Sequence, residues 1–145
     1  MIRHYLAAWN KKRVLLVGYS FGADALPFIV NRLPPDVRSQ VATVSLLGIS
    51  ANASFEIRVA DWIGADSAGP ATQPELATLL EAKGATPVQC LYGAGDQETT
   101  GPGLSGKLTR ERIGKGHHFS GEYAQIAARI LAFATRHRRR EIPCQ

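Results

Sequence analysis

A five-residue run near the amino terminus has the residue types of a nucleophile site. Ser20 stands between two glycines in the run GYSFG at residues 18–22, directly after an apolar run at 13–19 and before a helical pattern. In such a strand-to-helix turn, a serine hydroxyl stands above the sheet on a strained bend. Both glycines are needed because a side chain there would collide with neighbouring backbone. The N–H of Phe21 would face the oxyanion formed when Ser20 attacks a carbonyl, which provides half of an oxyanion hole.

A serine nucleophile also needs a base and a carboxylate that orients the base, here in the chain order Ser, Asp/Glu, His. Asp96 is the favoured acid, in the loop after the strand that ends near residue 92, and Glu98 is its alternate because it can equally reach an imidazole. His117 is the favoured base, in a glycine-flanked loop before the last helix. His118 supports it or is the base itself. The sequence predicts a triad of Ser20, His117 and Asp96.

Two other motifs do not predict a metal-binding or phosphate-binding site. The adjacent histidines predict no metal, because neighbouring residues seldom ligate one ion together and no further Cys or His cluster completes a site. The segment 101–107 matches two phosphate-loop patterns, but Leu108 stands where a magnesium-binding Ser or Thr belongs, and eight residues separate the segment from the preceding strand. We therefore expect neither a metal nor a cofactor.

Composition is typical of one soluble domain. The chain has 145 residues, 45% of them hydrophobic, and a formal net charge of +5. Its apolar runs are far shorter than the roughly 18 residues that cross a bilayer. Four arginines and one glutamate fall within residues 136–145, which is typical of the charged end of an amphipathic helix. We expect no nucleic-acid partner.

Hydrophobic periodicity predicts strands that alternate with helices. The predicted strands are 13–19, 41–47, 87–92 and 107–113. The predicted helices are 2–10, 21–33 with a bend at Pro27, 74–83, and a last one capped by Ser120. This alternation indicates an α/β fold with a mostly parallel sheet. A long insertion at 48–73, with one extended piece at 55–59, is expected to cover a pocket.

Three segments together resemble the bacterial virulence protein VirJ/AcvB family, a branch of the α/β-hydrolase fold. They are VLLVGYSFGADALPF, CLYGAGD and GKGHHFSGEY, and the resemblance runs over nearly the whole chain. It implies a three-layer α/β-hydrolase-like domain and a periplasmic serine hydrolase. Some members cleave the aminoacyl ester of lysyl-phosphatidylglycerol, and others are linked to type IV secretion. The acidic loop of the family places its carboxylate at Asp96 or at Glu98.

Compared with that family, the chain begins at the helix before the nucleophile strand. We therefore expect residues 1–145 to be a single partial domain in which the N-terminal strands, and with them the second oxyanion donor, are missing. Residues 1–13 lack the apolar region of a secretory signal, which would lie upstream. A sheet that starts at 13–19 would also have an unpaired apolar edge, where another chain can pair.

Two functions from different classes follow. The first is a serine esterase acting on a small-molecule or lipid ester. A membrane surface would be contacted by the basic tail and by Phe55, Trp62 and Ile63. The aromatic side chains are equally suited to a hydrophobic core. The second is a non-catalytic interaction module that keeps the hydrolase turn and uses the open sheet edge to bind a type IV secretion component or to form oligomers.

Overall fold

Four strands form one parallel sheet in the computed structural model, which describes residues 1–53, 69–82 and 84–139. Their order across the sheet follows the chain: β1 (Val14–Tyr19), β2 (Val41–Leu47), β3 (Val88–Ala94) and β4 (Thr109–Lys115). Because all four run in the same direction, their carboxyl ends meet at one edge of the sheet. The predicted α/β fold with a mostly parallel sheet is confirmed.

In the described part of the chain, five helices accompany the sheet: α1 (Ile2–Ala8), α2 (Phe21–Asn31), α3 (Pro35–Arg38), α4 (Thr72–Glu81) and α5 (Tyr123–Arg139). Short 3₁₀ turns are formed by Gly101–Gly103 and Phe119–Gly121. α4 begins two residues before Pro74, which is possible because the first N–H groups of a helix have no intrahelical acceptor. The predicted cap at Ser120 is wrong: Ser120 lies in the second 3₁₀ turn, and its hydroxyl accepts a hydrogen bond from the Lys115 N–H at 3.1 Å.

Two apolar clusters lie on opposite faces of the sheet. Leu46 packs with residues of α2 and α4, whereas the next residue, Leu47, packs with Phe119 and with Ile126 of α5. Successive side chains of a strand point to opposite faces, so helices cover both sides of β2. Burial on both faces explains why β2 and β3 are mostly apolar along their length instead of alternating between polar and apolar residues.

The strand that precedes Ser20 is an edge strand in the described part of the chain, where β1 pairs only with β2. Val17 and Tyr19 are 49% and 43% exposed there. The predicted extended piece at 55–59, together with Trp62 and Ile63, lies outside the described residues. Among the residues described, no helix combines the length and the hydropathy that crossing a membrane requires.

Candidate active site

The turn from β1 to α2 places Ser20 at the carboxyl edge of the sheet. Ser20 has φ 52° and ψ −123°, a conformation that costs a residue other than glycine about 1–3 kcal/mol. Its N–H donates to the Leu47 carbonyl at 2.9 Å, and its carbonyl accepts from the N–H of Asp24 at 3.1 Å. These backbone hydrogen bonds, in β2 and in the first turn of α2, hold the strained serine in place.

Only one of the two flanking glycines is required for the reason predicted. A β-carbon on Gly18 would lie 2.3 Å from the Gly22 carbonyl oxygen, so only glycine fits at this crossing of strand and helix. A β-carbon on Gly22 would meet nothing within 4 Å beyond its own helix and neighbours, so the predicted collision there is wrong. Gly22 lies in the first turn of α2, where a β-carbon would stand in open space.

The loop after β4 brings His117 to Ser20. His117 Nε2 lies 2.9 Å from Ser20 Oγ, although 97 residues separate them in sequence. The loop approaches β3 so closely that a β-carbon on Gly93 would fall 2.0 Å from the Gly116 carbonyl oxygen. Backbone packing of the loop against β3 therefore sets the position of the imidazole relative to the sheet. The His117 side chain is 17% exposed.

The two candidate acids differ in their distance from the imidazole. Asp96 Oδ2 lies 3.0 Å from His117 Nδ1, and the Asp96 side chain is 1% exposed. Glu98 Oε2 lies 3.8 Å from the same nitrogen, which is beyond hydrogen-bond distance, and the Glu98 side chain is 75% exposed. The other Asp96 oxygen accepts the Glu98 N–H at 3.0 Å, so the loop turns around the aspartate. The structure thus joins Ser20, His117 and Asp96 by consecutive hydrogen bonds, and Glu98 lies at the exposed rim of this group.

The other base candidate, His118, contacts a residue that sequence reasoning missed. His118 Nδ1 lies 2.8 Å from the hydroxyl of Tyr19, the residue directly before the nucleophile. Partial burial raises the pKa of the Tyr19 phenol, and the charges of Asp96 and Glu98 raise it further. A tyrosine within the GYSFG run, on the exposed side of an edge strand, was the available signal.

Phe21, predicted to supply an oxyanion donor, is the first residue of α2. Its backbone N–H therefore lies next to Ser20 at the positive end of the helix dipole, where negative charge is stabilised. Its ring is 51% exposed. The position suits the predicted donor, because an oxyanion formed at Ser20 would lie at the helix amino terminus.

A buried carboxylate behind the nucleophile turn is a second feature that sequence reasoning missed. Asp24, 6% exposed on α2, accepts the Ser50 N–H at 2.7 Å and the Ser50 hydroxyl at 2.6 Å. The Thr72 hydroxyl donates to the Ser50 carbonyl at 2.6 Å. This network fixes the segment that follows β2, and Gly48 of that segment faces His117. The acidic residue four positions after Ser20 was the sequence signal.

Candidate metal and phosphate sites have little support in the described residues. Across residues 1–53, 69–82 and 84–139, no group of three His, Cys, Asp or Glu side chains is placed to hold a metal ion. The phosphate-loop match begins with the 3₁₀ turn Gly101–Gly103 and leads into β4, whereas a phosphate loop leads into a helix.

The fold and site define a class: a parallel α/β domain with a serine, an imidazole and a carboxylate hydrogen-bonded in series at the carboxyl ends of its strands. The family model described as bacterial virulence protein (VirJ) matches residues 1–139, so the chain belongs to that family of virulence-related proteins. No curated protein and no solved structure matches the chain.

Proposed function

We propose that this protein is a serine esterase in which Ser20 attacks the carbonyl carbon of a carboxylic ester. The observation that carries the proposal is the unbroken hydrogen-bond series from Ser20 Oγ to His117 Nε2 at 2.9 Å and from His117 Nδ1 to Asp96 Oδ2 at 3.0 Å. The series begins at a strained turn and ends at a buried carboxylate, as nucleophile activation by a base requires.

Each residue then has one role. His117 Nε2 takes the hydroxyl proton while Ser20 Oγ bonds to the acyl carbon, and the Phe21 N–H donates to the resulting oxyanion. The C–O bond to the alcohol breaks, and the imidazolium returns the proton to the departing alkoxide. The Asp96 carboxylate accepts a hydrogen bond from the Nδ1–H of His117 throughout, which fixes the tautomer of the imidazole. His117 next takes a proton from a water whose oxygen bonds to the acyl carbon. The bond from that carbon to Ser20 Oγ then breaks, Oγ takes the proton from the imidazolium, and the acid leaves.

The substrate we propose is an aminoacyl ester of the lysyl-phosphatidylglycerol type, hydrolysed in the periplasm at the membrane surface. The family resemblance is the first support. The second is the exposed Glu98 carboxylate at the rim, 3.8 Å from His117 Nδ1, which favours a cationic group beside the scissile bond. A lysyl ester carries two ammonium groups, whereas a simple acyl ester carries none.

The test is ester hydrolysis by the full chain with a matched pair of serine variants. Ser20→Ala should lower the rate on p-nitrophenyl acetate and on a lysyl-glycerol ester by at least about 10³-fold, because the nucleophile is lost. The control is Ser39→Ala, whose exposed hydroxyl only donates to the Asp36 carbonyl at 2.8 Å. Hydrolysis that survives Ser20→Ala, or a chain that hydrolyses neither ester, contradicts the proposal.

A second candidate function is a non-catalytic interaction module for a secretion component or another chain. The observation that favours it is the edge position of β1 in the described sheet, with Val17 and Tyr19 about half exposed. Unpaired apolar edges pair readily with other strands. Sedimentation velocity separates the candidates: an oligomer without ester turnover supports the module, and a monomer with turnover supports the esterase.

A further inference from the structure

The loop that carries His117 is conformationally costly. Within residues 114–121, five have positive φ, and two of these, Phe119 and Ser120, are not glycines. Left-handed conformations cost such residues about 1–2 kcal/mol each, so the loop keeps this shape only where other contacts hold it. How it is held decides whether the imidazole stays within reach of Ser20.

Several contacts attach the loop to the neighbouring elements β3 and α5. Phe119, 1% exposed, packs in the cluster that contains Leu91 and Ile126, and the Gly116 N–H donates to the Ala94 carbonyl at 2.9 Å. These contacts join the loop to β3 and α5. The nucleophile, however, follows β1, which is two strands away from β3.

Hydrogen bonds between two pairs of consecutive residues span that gap. Ser20 Oγ bonds to His117 Nε2, and the Tyr19 hydroxyl bonds to His118 Nδ1 at 2.8 Å. The Tyr19 hydroxyl is also 3.4 Å from the His117 carbonyl oxygen, and the Tyr19 and His117 ring centroids are 5.4 Å apart. A single hydrogen bond would leave the loop free to rotate about it, whereas two adjacent ones fix distance and orientation together.

We propose that Tyr19 and His118 are positioning residues that hold the His117 imidazole in line with the Ser20 hydroxyl. This inference rests on the proposed esterase function. Neither side chain needs to touch the substrate. The phenol donates to Nδ1 of a neutral His118 and accepts from Nδ1 of a protonated one, so the link exists in both states. The inference assigns a separate purpose to each of the adjacent histidines.

The test compares Tyr19→Phe, which keeps the ring and removes the hydroxyl, with His118→Phe and His118→Asn. Asparagine places an oxygen near the position of Nδ1 and can still accept from Tyr19. Tyr19→Phe and His118→Phe should each lower kcat about tenfold with KM changed less than twofold, because only the alignment of the base is lost. His118→Asn should restore most of kcat when Tyr19 is present, but not in Tyr19→Phe.

The double variant Tyr19→Phe/His118→Phe should be no slower than Tyr19→Phe, since that single variant already removes the hydrogen bond between the two residues. Tyr5→Phe is the matched control, because Tyr5 is 45% exposed on α1 and outside the site. An active wild type with an unchanged kcat in Tyr19→Phe overturns the inference, and so do strictly additive losses. A merely structural role would lower thermal stability without the selective rescue by asparagine.

The hydrogen bond is also measurable without activity. In protein labelled with ¹⁵N-histidine, the Nδ1 resonance of His118 should shift on Tyr19→Phe and not on Tyr5→Phe. An unchanged resonance overturns the pair whatever the activity. If the resonance shifts in Tyr19→Phe but the wild-type protein hydrolyses no ester, the contact stands. The proposed function, and with it the catalytic purpose of the pair, is then overturned.

Discussion

His117 Cε1 lies 3.0 Å from the point where a β-carbon on Gly48 would stand, so the segment after β2 is in close contact with the imidazole. His117 Nδ1 is 3.3 Å from the same point. The absence of a side chain at residue 48 therefore leaves room for the ring between Ser20 and Asp96.

Gly48→Ala should impair catalysis more than stability. The added methyl group would push the imidazole by a few tenths of an ångström, and such a displacement should lower kcat about tenfold or more. Gly84→Ala is the control, because Gly84 also has positive φ (71° against 64°) and a β-carbon there would meet nothing within 4 Å. Both variants should lose about 1 kcal/mol of unfolding free energy in urea titrations, and equal kcat values would contradict the contact argument.

The two candidate acids should separate by mutation. Asp96→Asn removes the carboxylate that is hydrogen-bonded to Nδ1 and should lower kcat by roughly 10³–10⁴-fold. Glu98→Gln removes an exposed charge 3.8 Å away and should change kcat on a neutral ester less than about threefold. Steady-state assays on p-nitrophenyl acetate decide this, and a larger loss in Glu98→Gln would reverse the assignment.

The buried Asp24 carboxylate should contribute to stability. Asp24→Ala leaves the Ser50 N–H without its acceptor and leaves the Ser50 hydroxyl only the Asn52 carbonyl at 3.1 Å, which should cost about 2 kcal/mol of unfolding free energy. Asp36→Ala is the matched surface change, because the exposed Asp36 carboxylate pairs with Arg3 and with backbone N–H groups of its own turn in contact with water, and its loss should cost less than about 1 kcal/mol. Equal costs in chemical denaturation would show that the Ser50 network is not stabilising.

Alkaline stability should depend on Cys90. Burial raises the pKa of this thiol from 9.0 to about 12. The thiol therefore loses its proton at lower pH in the unfolded state than in the folded state. Its contribution to the free energy of unfolding is complete below pH 9 and declines by up to about 4 kcal/mol as pH rises to 12. Urea titrations from pH 8 to 11 should show a steeper decline for the wild type than for Cys90→Ala. Parallel declines would contradict this prediction.

Sequence reasoning located the Ser20 turn and the His117 loop because their signals are local. A serine between glycines after a continuous apolar run, and a histidine pair flanked by glycines, can each be recognised within a few residues. The choice between Asp96 and Glu98 could not be made from residue types, because both are acids in one loop. It depends on the turn in which the Glu98 N–H donates back to Asp96, an arrangement that residue types alone do not specify.

The remaining differences arise from tertiary contacts. Tyr19 and His118 are 99 residues apart, so only the folded path of the loop across the sheet brings them together. The predicted last strand, 107–113, is observed at Thr109–Lys115, where pairing with β3 sets the register from Gln89 and Thr109 onward. Ser120 has the residue type of a helix cap, but its hydroxyl bonds to Lys115 in the tight loop.

The most direct test of the account is a fluorophosphonate probe followed by mass spectrometry of the intact chain and its peptides. The account predicts one adduct per chain, located on Ser20, absent in Ser20→Ala and slowed at least about 10²-fold in His117→Gln. An adduct on another residue, labelling that persists in Ser20→Ala, or no adduct on the wild-type chain would contradict the role of Ser20 as a nucleophile.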